Sequence, residues 1–119
     1  MSDRVCWIEH RGARILYADY SGLSGEEYMK VIEEFKNELL KQSPGSVVTL
    51  TNVANTLVTN DVIDKFKELG RQTKGISKAA ATIGVTGFRR AIAVLIRRDL
   101  YWANSLEEAK DWLAERAKE

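Results

Sequence analysis

The sequence predicts one α/β domain over residues 1–119, with a mixed sheet of four to five strands, an N-terminal β-hairpin and four helices in the order β-β-α-β-α-β-α-β-α. Three observations carry this reading. Short runs rich in β-branched and aromatic residues are separated by longer runs with apolar residues at helical spacing. The two kinds alternate, which implies parallel strand pairs joined by right-handed crossovers. The first two strand-like runs are split only by Arg11-Gly12, so that pair is an antiparallel hairpin and the sheet is mixed.

"RVCWIEH" (4–10) and "ARILYADY" (13–20) are the hairpin strands. Ser24 opens the first helix and, with Glu27 three residues on, matches a capping box. Tyr28, Val31, Ile32, Phe35 and Leu39 fall on one face of it, and "SPG" (43–45) ends it. "SVVTLT" (46–51) is the third strand. A helix from Asn60 to Gln72 follows, with Val62, Ile63, Phe66 and Leu69 on one face. "KAAATIGV" (78–85) reads as a buried strand of small residues. After a Gly84–Gly87 turn, "FRRAIAVLIRR" reads as a helix with Phe88, Ala91, Ile92 and Leu95 inward. "DLYWA" (99–103) is a short strand. Ser105 with Glu108 forms a second capping box, and Leu106, Ala109, Leu113 and Ala117 make the stripe of the last helix.

The composition excludes several function classes. Apolar residues make up 45% of the chain and charged residues 29%, as in soluble globular domains. The net charge of +1 gives no bulk attraction for nucleic acid or an anionic membrane. No apolar run approaches the ~20 residues of a membrane span. The opening "MSDRVCWIEH" is charged where a signal peptide would be apolar, so a cytoplasmic location is expected. Cys6 is the single cysteine, which leaves no internal disulfide and no multi-cysteine zinc site. No metal or cofactor is expected.

Each candidate site has a structural reading beside the functional one. Cys6 and His10 suggest a nucleophile and base, but four residues along one strand separates them by roughly 13 Å. A dyad needs hydrogen-bond reach. "GVTGFRR" (84–90) offers a candidate anion site at Gly87, Arg89 and Arg90, where a helix start would hold the anion. It lacks the remaining residues of a phosphate loop, and a tight turn with solvated arginines explains it as well. Arg97, Arg98, Tyr101 and Trp102 place cations beside aromatics, which suits base stacking or an internal arginine–aromatic contact. Within "TNVANTLVTNDVID" (51–64), Thr59 or Asn60 suits the cap of the following helix, and Asp61 suits its positive end. Leu57 and Val58 read as a plug over one end of the sheet, with an apolar docking patch as the alternative.

The order of elements resembles the STAS domain of bacterial anti-sigma-factor antagonists, and more closely the small stand-alone SpoIIAA-like branch grouped with STAS/Sec14-type proteins. "ILYADYSGLSGEEY", "VTLTNVANTLVTNDVIDKF", "AATIGVTG" and "SLEEAKDWL" carry the resemblance, which spans nearly the whole chain. In antagonists the middle loop bears an Asp-Ser pair whose serine is phosphorylated. The matching positions here are Thr59 and Asn60, so the pair is absent and Thr59 is the candidate phospho-acceptor. The resemblance implies that Asn55, Thr56, Leu57, Val58, Thr59 and Asn60 face a protein partner. It also implies a non-enzymatic regulatory domain, with a Sec14-like small-molecule or lipid binder as the alternative. Nine elements nearly use up 119 residues, so no large pocket is expected. Trp7 and the Tyr101-Trp102 pair sit on expected sheet edges, which predicts a weak homodimer.

Overall fold

The computed structural model describes residues 3–85 and 97–119. Five strands form one sheet: β1 (Val5–His10), β2 (Ala13–Asp19), β3 (Val47–Asn52), β4 (Ser77–Ile83) and β5 (Tyr101–Ala103). Three helices are described: α1 (Gly25–Leu40), α2 (Asn60–Gln72) and α3 (Leu106–Ala117). The sequence predicts four. The remaining one, over "FRRAIAVLIRR", falls on residues 88–96 and the two arginines after them. Residues 86–96 lie outside the described set, and Arg97 and Arg98 are not helical.

The strands lie in chain order, β1-β2-β3-β4-β5. β1 and β2 are antiparallel, and every later neighbour is parallel. Arg11 and Gly12 join the hairpin with φ of 52° and 83°, the two positive values that a tight hairpin turn of the type I′ kind demands. The steps from β2 to β3 and from β3 to β4 run the same way. Right-handed crossovers therefore put α1 and α2 on the same face of the sheet. Leu16, Ala18 and Val47 meet Ile32, Phe35, Val62 and Leu69 there. On the opposite face Ile15, Val48, Leu50, Ala79 and Ala81 are sealed by Ala109, Leu113 and Ala114 of α3.

A register shift between β3 and β4 preserves these faces. Val47 pairs with Ser77, yet Thr49 pairs with Ala80, so β4 carries one extra residue. Such a bulge lets Ser77 and Ala80, an odd number of residues apart, face the same side.

α1 and α2 are locked side by side by four charges. Lys36 Nζ lies 2.8 Å from Glu33 and 3.5 Å from Glu68, and Lys65 pairs with both Glu33 and Glu68. Residue 33 meets 65 and 36 meets 68, a constant offset that makes the two helices parallel. The Lys36 and Lys65 ammonium groups hold the Glu33 carboxyl below its ordinary range.

The two capping boxes fare differently. Ser105 Oγ accepts from the Glu108 N–H at 3.1 Å. The Glu108 carboxylate reaches past Ser105 to the Asn104 N–H at 3.0 Å. Ser24 is the N-cap of α1 in extended conformation, but its side chain makes no cap hydrogen bond. The box expected at Ser24 and Glu27 is not formed. Gly25, at φ 60°, starts this helix from the left-handed region instead.

Candidate functional site: a braced loop over an apolar cavity

Parallel strands gather their connections at their C-terminal ends, where ligands and partners of open sheets collect. Here the ends of β2, β3 and β4 are tied together. The Tyr20 N–H donates to the Asn52 carbonyl at 2.8 Å, and the Val53 N–H donates to the Ile83 carbonyl at 3.0 Å. The Gly22 N–H donates to the Ala54 carbonyl at 2.9 Å. Asn52 Oδ1 accepts from the Ala54 N–H at 3.0 Å, the local turn that asparagine favours. Gly84 presses against this turn so closely that a Cβ there would stand 2.5 Å from the Ala54 nitrogen.

Past Ala54 the loop turns outward. Asn55 has φ 58°, a left-handed conformation that asparagine tolerates. Thr56 is buried and its hydroxyl donates to the Val53 carbonyl at 3.0 Å. The Leu57 N–H donates to the Leu23 carbonyl at 3.1 Å, one residue before the cap of α1. Thr59 Oγ1 accepts from the Val62 N–H at 3.3 Å, so Thr59 is the N-cap of α2 and Asn60 is its first residue. Asn55, Thr59 and Asn60 are exposed.

The plug expected of Leu57 and Val58 is overturned for Leu57, which is 60% exposed. Its backbone is anchored on Leu23 while its side chain stands in solvent. Val58 is half-buried and turns inward.

Beneath the loop the described residues bound a cavity of about 500 Å³ between α1, α2 and the strands β3 and β4. The expectation of no large pocket concerns the whole chain; among the described residues the floor of this space is low. Thr49, Thr51, Ala80 and Thr82 are small, and they leave space where long aliphatic side chains would fill it. Their hydroxyls are paired among themselves. Thr49 bonds Ser77 at 2.9 Å, and Thr51 bonds Thr82 at 3.0 Å. Phe35, Phe66 and Leu69 supply apolar wall. Val53, Thr56 and Val58 close the end beneath the loop. Lys74, Arg97 and Asp99 stand at the other end, toward the start of β4. Behind the wall, Tyr20 is fully buried among Tyr28, Phe35 and Phe66. Burial pushes its phenol well above the ordinary value, and its hydroxyl has no hydrogen-bond partner among the described residues.

The other predicted groups are elsewhere. His10 Nε2 sits 2.7 Å from Asp111 Oδ1 on α3, and Cys6 lies four residues away along β1. Among the described residues no group of three or more His, Cys, Asp or Glu side chains could hold a metal ion. Gly87, Arg89 and Arg90 lie outside the described residues. Arg97 is bidentate to Asp99, at 2.5 and 3.1 Å, and also donates to the Ser77 carbonyl at 3.2 Å. Tyr101 stacks on Trp112 with ring centroids 4.5 Å apart, and Arg116 lies over the same indole. Among the described residues the cation on the Tyr101–Trp112 stack is thus Arg116 of α3. At the other sheet edge Trp7 donates to Glu38 at 2.9 Å, with the Arg14 guanidinium 4.2 Å from its ring centre. Sequence reasoning missed the low floor on β3 and β4, whereas for Leu57 the exposure agrees with the alternative reading of an apolar patch and not with the plug. The run of small residues on β3 and β4 is the signal for that floor.

No family model and no curated protein matches this sequence. The structure is similar to that of an anti-sigma-factor antagonist (STAS) domain protein from Planctomyces limnophilus, with a TM-score of 0.61 and 11% identity. The match covers 92% of this chain and 97% of that one. The chain therefore has the STAS-domain fold. Among the described residues no helix is long and apolar enough to cross a membrane.

Proposed function

We propose that this is a non-enzymatic binding domain that docks a protein partner through the loop of residues 55–60. One observation carries the reading: Leu57 is a large apolar side chain held out to solvent on a loop braced at Ala54, Thr56, Leu57 and Thr59. A braced loop loses little conformational entropy on binding, which makes an exposed side chain on it an effective anchor. Phosphorylation is not needed for this reading, and the Asp-Ser pair of antagonists is absent. Thr59 is exposed, and its hydroxyl already serves the α2 cap.

The test begins with a partner recovered from the native host and identified by mass spectrometry. Its affinity is then measured for the wild type, Leu57→Asp and Thr59→Glu. Both substitutions are expected to weaken binding at least tenfold while leaving circular dichroism unchanged. Unchanged affinity in both rejects the loop as the docking site.

The cavity bounded by the described residues supports a second reading, a Sec14-like binder of a small apolar molecule. Its volume falls within the ~300–1,000 Å³ of ligand sites. Native mass spectrometry of the protein from its own host is expected to show a bound species lost on denaturation. A protein with no added mass, and no affinity for apolar probes, rejects this second reading.

A further inference from the structure

β1 is an outer strand of the sheet, on the far side from β4 and β5. The Asp19 N–H donates to the Arg4 carbonyl at 2.8 Å, and the register of β1 on β2 sets these two residues opposite each other. Hydrogen-bonded pairs alternate along an antiparallel ladder. Cys6, Ile8 and His10 therefore bond to β2, and the N–H and carbonyl groups of Val5, Trp7 and Glu9 point away from it. Among the described residues nothing pairs with these outward groups. The strand has six residues and none of the proline, lysine or bulge that keeps an open edge solitary. β5, at the other edge, has only three residues. We propose that β1 pairs antiparallel with β1 of a second copy of this chain, about a two-fold axis at Trp7. The proposal is independent of the docking loop and of the cavity.

The outward groups choose both the occupant and the register. Val5, Trp7 and Glu9 are evenly spaced about Trp7, so the edge is complementary to itself under a two-fold rotation, as an isologous contact requires. With Trp7 opposite Trp7 of the second copy, Val5 meets Glu9 of that copy and Glu9 meets Val5. Every outward group within the strands then finds a partner, and the two indoles form a cross-strand aromatic pair. The charges that flank the strand are opposite, Asp3 before it and Arg11 after it, so antiparallel pairing brings acid toward base at both ends. A slip that centres the axis on Cys6 sets Asp3 against Glu9 of the second copy instead. A slip that centres it on Ile8 draws in Arg11, whose φ of 52° takes it out of the strand. A single edge is a small interface, so the dimer depends on concentration.

Two variants test the edge and its register. Glu9→Pro removes an outward N–H and no bond to β2. Where Glu9→Pro fails to fold, Trp7→Lys serves. Sedimentation equilibrium over a concentration series is expected to show a wild-type dimer, with self-association weakened at least tenfold by the edge substitution. In the Trp7-centred register, Cys6 of one copy faces Ile8 of the other at a non-hydrogen-bonded site. Cα atoms there are about 4.5 Å apart, within the span of a disulfide. Ile8→Cys treated with oxidised glutathione is therefore expected to give at least fivefold more cross-linked dimer than the wild type on a non-reducing gel. A chain that stays monomeric up to its solubility limit overturns the proposal and leaves the edge to an extended segment of another protein. A dimer that is indifferent to the edge substitution, or that gains no cross-link from Ile8→Cys, overturns the Trp7-centred pairing.

Discussion

His10 Nε2 and Asp111 Oδ1 stand 2.7 Å apart, joining the end of the opening hairpin to the middle of the last helix across 101 residues of chain. Arg11 Nη2 lies 3.6 Å from the same carboxylate oxygen. The hydrogen bond from His10, aided by the Arg11 charge, holds the Asp111 carboxyl below its ordinary range. A carboxyl depressed in the folded state stabilises that state above its unfolded value. The contribution is lost as pH falls through the lower, folded value. Asp111→Asn is therefore expected to lower the thermal midpoint at pH 6. The gap between variant and wild type should narrow as pH drops below about 4, where unfolded aspartates protonate. Thermal unfolding of both proteins from pH 3 to 7 checks this, and a gap independent of pH would show that the contact contributes nothing through charge.

Thr59 and Asn60 should separate cleanly. The cap bond belongs to Thr59, so Thr59→Ala is expected to cost about 0.5–2 kcal/mol. Asn60→Ala, already inside the helix and exposed, should stay within about 0.5 kcal/mol of the wild type. Urea unfolding of the two variants measures both. Equal losses would mean that the cap is shared.

Gly84→Ala meets two obstacles at once. Its φ of 85° disfavours any side chain, and the new methyl would collide with the Ala54 backbone. The backbone term alone is about 1–3 kcal/mol. Denaturation midpoints of Gly84→Ala and Gly22→Ala make the comparison. Gly22 has φ 74° and open space, so it carries strain without collision. Gly84→Ala should lose more, and parity would mean that the Ala54 turn moves aside freely.

The charges between α1 and α2 invite a double-mutant cycle with Glu33→Gln and Lys65→Met. The pair is partly exposed, so the coupling should be about 0.2–1 kcal/mol and should shrink in 1 M NaCl. A coupling that ignores salt would point to packing rather than charge.

Much of the fold is legible in the sequence because its signals are local. Arg11-Gly12 forces a hairpin, Ser105 with Glu108 starts a helix, and the apolar stripe of α1 at Tyr28, Val31, Ile32, Phe35 and Leu39 is buried as a whole. The candidate site is less legible, because its decisive features are made by residues distant in sequence. Leu57 stands exposed, and its N–H is held by Leu23, thirty-four positions earlier. Thr49 and Thr51 look like ordinary strand residues until Ala80 and Thr82 arrive beside them and leave the floor low. Ser24 matches a capping box by residue type, yet Gly25 in the left-handed region turns the chain so that the box does not close.

The strands lie side by side in the order in which they are synthesised, and this gives the two faces different histories. The α1/α2 face can assemble progressively, since each helix lies between the strands it covers. Among the described elements the opposite face has no such cover until α3, which packs across strands from β1 to β5 and follows all of them in the chain. A nascent chain still lacking those residues presents Ile15, Val48 and Leu50 bare to water, a sticky surface on an otherwise formed sheet. Emergence of α3, rather than pairing of the strands, is then the moment at which this domain stops being a target for chaperones. Mutations that slow the docking of Leu113 should show first as aggregation during expression, before they register as lost stability in the purified protein.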